Sequence, residues 1–201
     1  MSAILFTAGL LACRATSPAV VQTSAPPVPR YPFTEADVHF MSGMISHHAQ
    51  AIKMAGWAPA HGANAAVQRL AERIINAQQD EINLMRQWLA DRRQPVPEAS
   101  PTGMKMVMNG VEHEMLMPGM LSEDQMKQLD QARGAEFDRL FLSLMIQHHK
   151  GAVSMVQELF GSYGAGLDDI VFKFASDVNV DQSTEIARME LMLAALPTTS
   201  H

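Results

Sequence analysis

The chain has one cysteine, Cys13, and only two tyrosines and two tryptophans among its 201 residues. A lone thiol excludes an internal disulfide framework and any cysteine-based zinc cluster. Positive charge is also scarce. Fifteen Lys and Arg against twenty-one Asp and Glu leave a net charge of −6, which argues against a general nucleic-acid binder, since phosphate binding needs a basic surface. The apolar stretch at residues 2–12 falls short of the roughly 20 residues that a membrane-spanning helix requires. No nucleophile–base triad, phosphate-cradling glycine loop or dinucleotide fingerprint occurs, so a hydrolase or nucleotide enzyme is disfavoured. Strand and hairpin signals are not evident either, and the expected class is all-α.

What is present is methionine, sixteen of them, and eight histidines, in a chain that is 47% hydrophobic. That is enough apolar material for one sizeable domain with a tail. Residues 1–12 read as an export signal. They end in Leu10-Leu11-Ala12-Cys13, which resembles the bacterial lipoprotein cleavage box, although no Lys or Arg precedes Arg14. On that reading Cys13 becomes the lipidated first residue of the mature chain. Residues 13–33, rich in Pro, Ser, Thr and Ala, form a flexible tether.

From Thr34 the pattern turns helical. Thr34 and Asn64 are N-cap candidates for helices ending near Trp57 and Asp91. Ser122 with Gln125 is a capping-box pair that opens a third helical region. Long helices are expected over about 135–159 and 168–196, separated by a glycine-rich loop. Between them, residues 93–122 make a Met-rich connector.

The chain is duplicated. Residues 37–55 and 138–156 share nine of nineteen identities, including Asp37/Asp138, Met44/Met145, His47-His48/His148-His149 and Met54/Met155. Gln78, Glu81, Ile82, Met85 and Leu89 match Gln182, Glu185, Ile186, Met189 and Leu193 further on. Each copy is an αα-hairpin, 34–92 and 123–197. Two hairpins joined by a long crossover make a ferritin-like four-helix bundle over residues 34–197.

At 100° per residue, Asp37, Met41, Met44, His47, His48 and Met54 fall on one helical stripe with Phe40 and Ala51. The second copy repeats it with Asp138, Met145, His148, His149 and Met155, but Leu142 replaces the counterpart of Met41. Imidazoles inside an apolar stripe need partners, and a metal ion satisfies imidazole and thioether together. Soft thioether with intermediate imidazole suits Cu(I), or Ag(I) as its mimic, better than Mg, Ca or Fe. The candidate ligands are therefore His47, His48, His148, His149, Met41, Met44, Met54, Met145 and Met155. Asp37, Asp138, Glu81 and Glu185 are candidates to orient the imidazoles from behind. The two aspartates serve equally well as first-turn charges on the helix dipole. The connector adds an auxiliary set, Met104, Met106, Met108, His113, Met115, Met117 and Met120, read as a mobile segment that wraps a soft cation or as a lid.

Phe40, Met44-Ile45, His47-His48, Ala51 and Met54 resemble the bacterial "domain of unknown function 305" family. So do Met117-Pro118-Gly119-Met120, Met145-Ile146-x-His148-His149-x-Gly151-Ala152 and Gln78-x-x-Glu81-Ile82-x-x-Met85-x-x-Trp88-Leu89. The family includes CopM-type copper-binding proteins. The resemblance covers about residues 34–196. It implies a ferritin-like bundle, export to the cell envelope, and binding of Cu(I) and Ag(I) through Met and His; for sequestration or delivery of copper, a copper-exporting or copper-accepting envelope protein is the expected partner. Two other readings stay open. One is an iron or manganese redox bundle using Glu81, Glu185, Asp37, Asp138 and the histidines. The other is a metal-free interaction module in which each histidine pair bonds across the bundle to Glu81 or Glu185.

Overall fold

A computed structural model describes residues 32–108 and 110–197. The expected export signal, Cys13 and most of the expected tether lie outside the described residues. The elements are α1 (Glu35–Gly56), α2 (Ala65–Asp91), β1 (Met104–Met108), β2 (Val111–Met115), α3 (Glu123–Gln131), α4 (Ala135–Gly161) and α5 (Asp169–Ala194).

The helices start where polar side chains satisfy the first free N–H groups. Thr34 and Asp37 form a reciprocal capping box at α1, and Ser122 and Gln125 form another at α3. The Asn64 side chain accepts from Ala66 N and Val67 N at α2, and Asp168 accepts from Ile170 N and Val171 N at α5. Only α4 begins without a side-chain cap, behind Gly134.

Burial orders the helices. The N-terminal half of α1 (Phe40, Met41, Met44, Ile45) packs in one apolar cluster with the C-terminal half of α4 (Ala152, Met155, Val156, Leu159). The C-terminal half of α1 (Ala51, Met54, Ala55) shares a second cluster with Phe137, Phe141, Leu142 and Met145 of α4. The two central helices therefore run antiparallel, with α2 flanking α1 and α5 flanking α4. At one end Asp168 ties α2 to α5. It accepts from Trp88 Nε1 at 3.0 Å and pairs with Arg92, whose guanidinium lies 4.3 Å from the Trp88 ring centroid. At the other end Gly134 N donates to His61 O at 2.8 Å, so α4 starts against the α1–α2 loop. The connector must travel the length of the bundle between these ends, giving the expected ferritin-like crossover.

The connector corrects one expectation, because it contains a β-hairpin. β1 and β2 pair antiparallel with Met104 opposite Met115, Met106 opposite His113 and Met108 opposite Val111. The alternation of Met104, Met106 and Met108, read above as a loose wrapping segment, is the period-two pattern of a strand, and Asn109-Gly110 is a two-residue hairpin signal. Gly110 has φ +77°, which glycine adopts without a steric penalty.

After the hairpin, residues 117–121 lie across the central helices. Gln50 of α1 holds this passage with three hydrogen bonds: its Nε2 donates to Pro101 O and Leu121 O, both at 3.0 Å, and its Oε1 accepts from Leu121 N at 2.6 Å. Gly119, at φ +77°, rests on Gly151 of α4 so closely that a Cβ on Gly151 would stand 2.0 Å from Pro118 O. The duplicated copies diverge at this crossing. Gln50 in α1 is the counterpart of Gly151 in α4 because one helix anchors the connector and the other makes room for it.

Candidate metal centre

The two apolar clusters are separated by a polar layer at the middle of the bundle. His47, His48, His148 and His149 are all fully buried there, with Gln78 and Gln182 almost so. The His47 and His148 rings, repeat counterparts on α1 and α4, face each other with centroids 3.8 Å apart. The expectation that both doublets point inward agrees with this placement.

Hydrogen bonding fixes the ring orientations. His47 Nε2 donates to Pro118 O at 3.0 Å. His48 Nε2 donates to Glu81 Oε2 at 2.6 Å, and His149 Nε2 donates to Glu185 Oε2 at 2.9 Å. A ring that donates from Nε2 and is neutral carries its lone pair on Nδ1. The Nδ1 atoms of His47, His48 and His149 are buried without a hydrogen-bond partner, and His148 has a partner on neither ring nitrogen. Buried polar atoms left unpaired cost about 1–3 kcal/mol each, so four such imidazoles in one layer call for a ligand.

Electrostatics keeps the central pair neutral. Burial holds the His47 and His148 imidazoles well below the ordinary value, and repulsion from the neighbouring histidines lowers them further. Burial alone would raise the Glu185 carboxyl, but hydrogen bonds from His149 and Arg73 outweigh it and leave the group below the usual range. Arg73 reaches Glu185 from α2 at 2.8 Å.

Methionines are present in both flanking clusters. Met41, Met44 and Met155 lie in the cluster on one side with Met85, Met104, Met117 and Met120. Met54 and Met145 lie on the other side with Met189. Leu142 fills the second-copy position equivalent to Met41 as fully buried core. Among the described residues no three His, Cys, Asp or Glu side chains converge as a ready-made cage, so an ion held in this layer needs thioether donors as well as imidazoles.

Two sequence expectations are corrected. Asp37 and Asp138 do not orient imidazoles. Asp37 accepts from Thr34 N and from Gly166 N, each at 2.7 Å, and Asp138 accepts from Asn64 N at 3.1 Å and Asn64 Nδ2 at 2.7 Å. Each thus caps its surroundings and pins the inter-helix loop of the opposite hairpin. The auxiliary methionines divide: Met104, Met117 and Met120 are core, whereas Met115 and His113 are exposed on the hairpin. The side chains of Met106 and Met108 lie outside those described. His61, outside this layer, is also buried, and its Nε2 donates to Asp130 O at 2.9 Å. Gln50 and Gly151 seat the connector; Gly151 belongs to the motif quoted above, whereas Gln50 is one of ten mismatches between the repeats and carried no signal of its own.

Three comparisons place the chain. A solved DUF305 protein of Streptomyces coelicolor, named as a secreted protein, is 28% identical, with a TM-score of 0.67 over 83% of this chain and 97% of that one. CopM in its Cu(II)-bound form is 29% identical, with a TM-score of 0.61 over 79% of this chain and 95% of that one, and CopM has also been solved with Cu(I) and with Ag bound. Uncharacterized protein L153 of Acanthamoeba polyphaga mimivirus is 39% identical over 57 residues, spanning 28% of this chain and 38% of that protein. The model of the domain of unknown function DUF305 matches residues 37–193, and the chain belongs to that family.

Proposed function

We propose that this protein binds a soft monovalent cation, Cu(I) or Ag(I), in the mid-bundle layer, and that it stores or delivers the ion in the cell envelope. The carrying observation is the set of buried Nδ1 atoms on His47, His48, His148 and His149 that have no hydrogen-bond partner. Imidazole ligands to metals characteristically donate their second ring nitrogen to a carboxylate or carbonyl. Glu81, Glu185 and Pro118 O occupy those positions here. Met44, Met54, Met145, Met155 and Met41 supply thioethers from above and below, and a donor set of neutral nitrogen and sulfur favours a soft, low-charge ion. The hairpin places Met106 opposite His113 and Met104 opposite Met115, a spacing suited to a weaker auxiliary site. CopM, solved with Cu(I) and with Ag bound, supports binding of a metal of this kind. The secreted-protein name of the Streptomyces relative and the Cys13 box support an exported, lipid-anchored location, with a copper-supplying or copper-accepting envelope protein as partner.

The test is Cu(I) affinity by competition against a chromophoric chelator. Replacing His47, His48, His148 and His149 together by Leu is expected to weaken binding at least 100-fold. Undiminished affinity in that variant overturns the assignment.

A further inference from the structure

Every candidate ligand nitrogen is buried, so an ion needs a route. On one side residues 117–121 close the central helices, with His47 bonded to Pro118 O and Gly119 seated on Gly151. On the opposite side α2 and α5 leave a groove of about 280 Å³, lined by Arg73, Gln78, Glu81, Asp181, Gln182 and Glu185. Two of its carboxylates are one hydrogen bond from buried imidazoles: Glu81 touches His48 and Glu185 touches His149. Gln78 and Gln182, repeat counterparts that are 2% and 4% exposed, line the same groove, and each keeps an Oε1 with no donor. The negative field is only partly offset. Arg73 pairs with Glu185, while burial and then repulsion from Glu81, Asp177 and Glu185 raise the Asp181 carboxyl.

We infer that this groove is the loading port: the Glu81 and Asp181 carboxylates and the Gln78 and Gln182 amide oxygens receive a monovalent cation and pass it to the imidazoles beneath. The inference rests on the metal-binding reading above and adds a route and a direction to it. Oxygen donors hold a soft ion weakly, which suits transfer, whereas nitrogen and sulfur below hold it well. A recessed acidic groove also raises the local cation concentration and the association rate.

The test is stopped-flow association of Ag(I), from silver nitrate in chloride-free buffer, with the full chain, followed by ultraviolet absorbance. Asp181→Lys is the probe because Asp181 contacts no imidazole. Its association rate is expected to fall about tenfold at low ionic strength, with the difference closing in 0.5 M sodium nitrate and the dissociation rate unchanged. Glu98→Lys, an exposed connector position with the same change in net charge, is expected to leave association as in the parent. An unchanged rate in Asp181→Lys, or an equal slowing in Glu98→Lys, overturns the port while leaving equilibrium Ag(I) binding intact. Absence of equilibrium binding in the parent overturns the metal-binding reading itself.

Discussion

His47 and His148 face each other fully buried, with ring centroids 3.8 Å apart, and this has a measurable consequence in the metal-free chain. Their folded-state imidazoles titrate well below the ordinary value because of burial and neighbouring histidines. The unfolded chain therefore takes up protons near pH 6.5 that the folded chain refuses, and stability present above about pH 6.5 is lost as pH falls below it. The expected slope is about 1.4 kcal/mol per pH unit for each ring. Urea midpoints of metal-free protein at pH 7.5, 6.5 and 5.5 measure it. Replacing both residues by Leu should flatten the profile, and a pH-independent midpoint in the parent would contradict the neutral, desolvated pair. At this scale the doublets were legible because two adjacent imidazoles recur in both repeats. The work of Asp37 and Asp138 was not, because an N-terminal carboxylate reads the same whether it faces an imidazole, a helix dipole or a distant loop. Only the folded chain brings Gly166 and Asn64 beside them.

Among the elements, the connector depends most on single contacts. It carries a hairpin, and it is fastened to α1 largely through Gln50. Gln50→Ala removes partners from Leu121 N, Leu121 O and Pro101 O. Each buried backbone group left unsatisfied costs about 1–3 kcal/mol, and water reaching the vacated space offsets part of that, so a loss of about 2–4 kcal/mol is expected. Thermal unfolding measures the loss. Limited proteolysis should show earlier cleavage within residues 93–122 than in the parent, and unchanged cleavage there would mean that the connector is held by something else. Three helix starts were readable because caps are local: Thr34, Asn64 and Ser122 each bond within three residues. The hairpin has an equally local signature in the alternation of Met104, Met106 and Met108 and the Asn109-Gly110 pair, but methionines at that spacing suit metal wrapping as well as a strand.

For the whole molecule, the organising feature is a polar layer between two apolar clusters. Such a layer weakens the free protein and gives a bound ion leverage over the entire bundle, since all four long helices contribute to it. A ligand selective for the folded state stabilises it by about 2.7 kcal/mol at one hundred times its dissociation constant. For a domain of this size that corresponds to a rise in melting temperature of about 5–10 °C. Differential scanning calorimetry with and without Ag(I) reads it directly. A melting temperature that does not move at saturating Ag(I) would favour the interpretation of the histidines and glutamates as a metal-free network.

Composition, helical period and the internal repeat were sufficient to establish an all-α bundle of two hairpins and to single out the histidine doublets, because helix formation and burial patterning are governed by neighbours within a few positions. Which nitrogen of each ring is free, where the groove opens between α2 and α5, and how residues 117–121 close the other side depend on groups 30 to 130 positions apart. Those relations have no local signature. They come into being when α1 and α4 cross and the connector settles over Gly151, and with them comes the chemistry proposed for this protein.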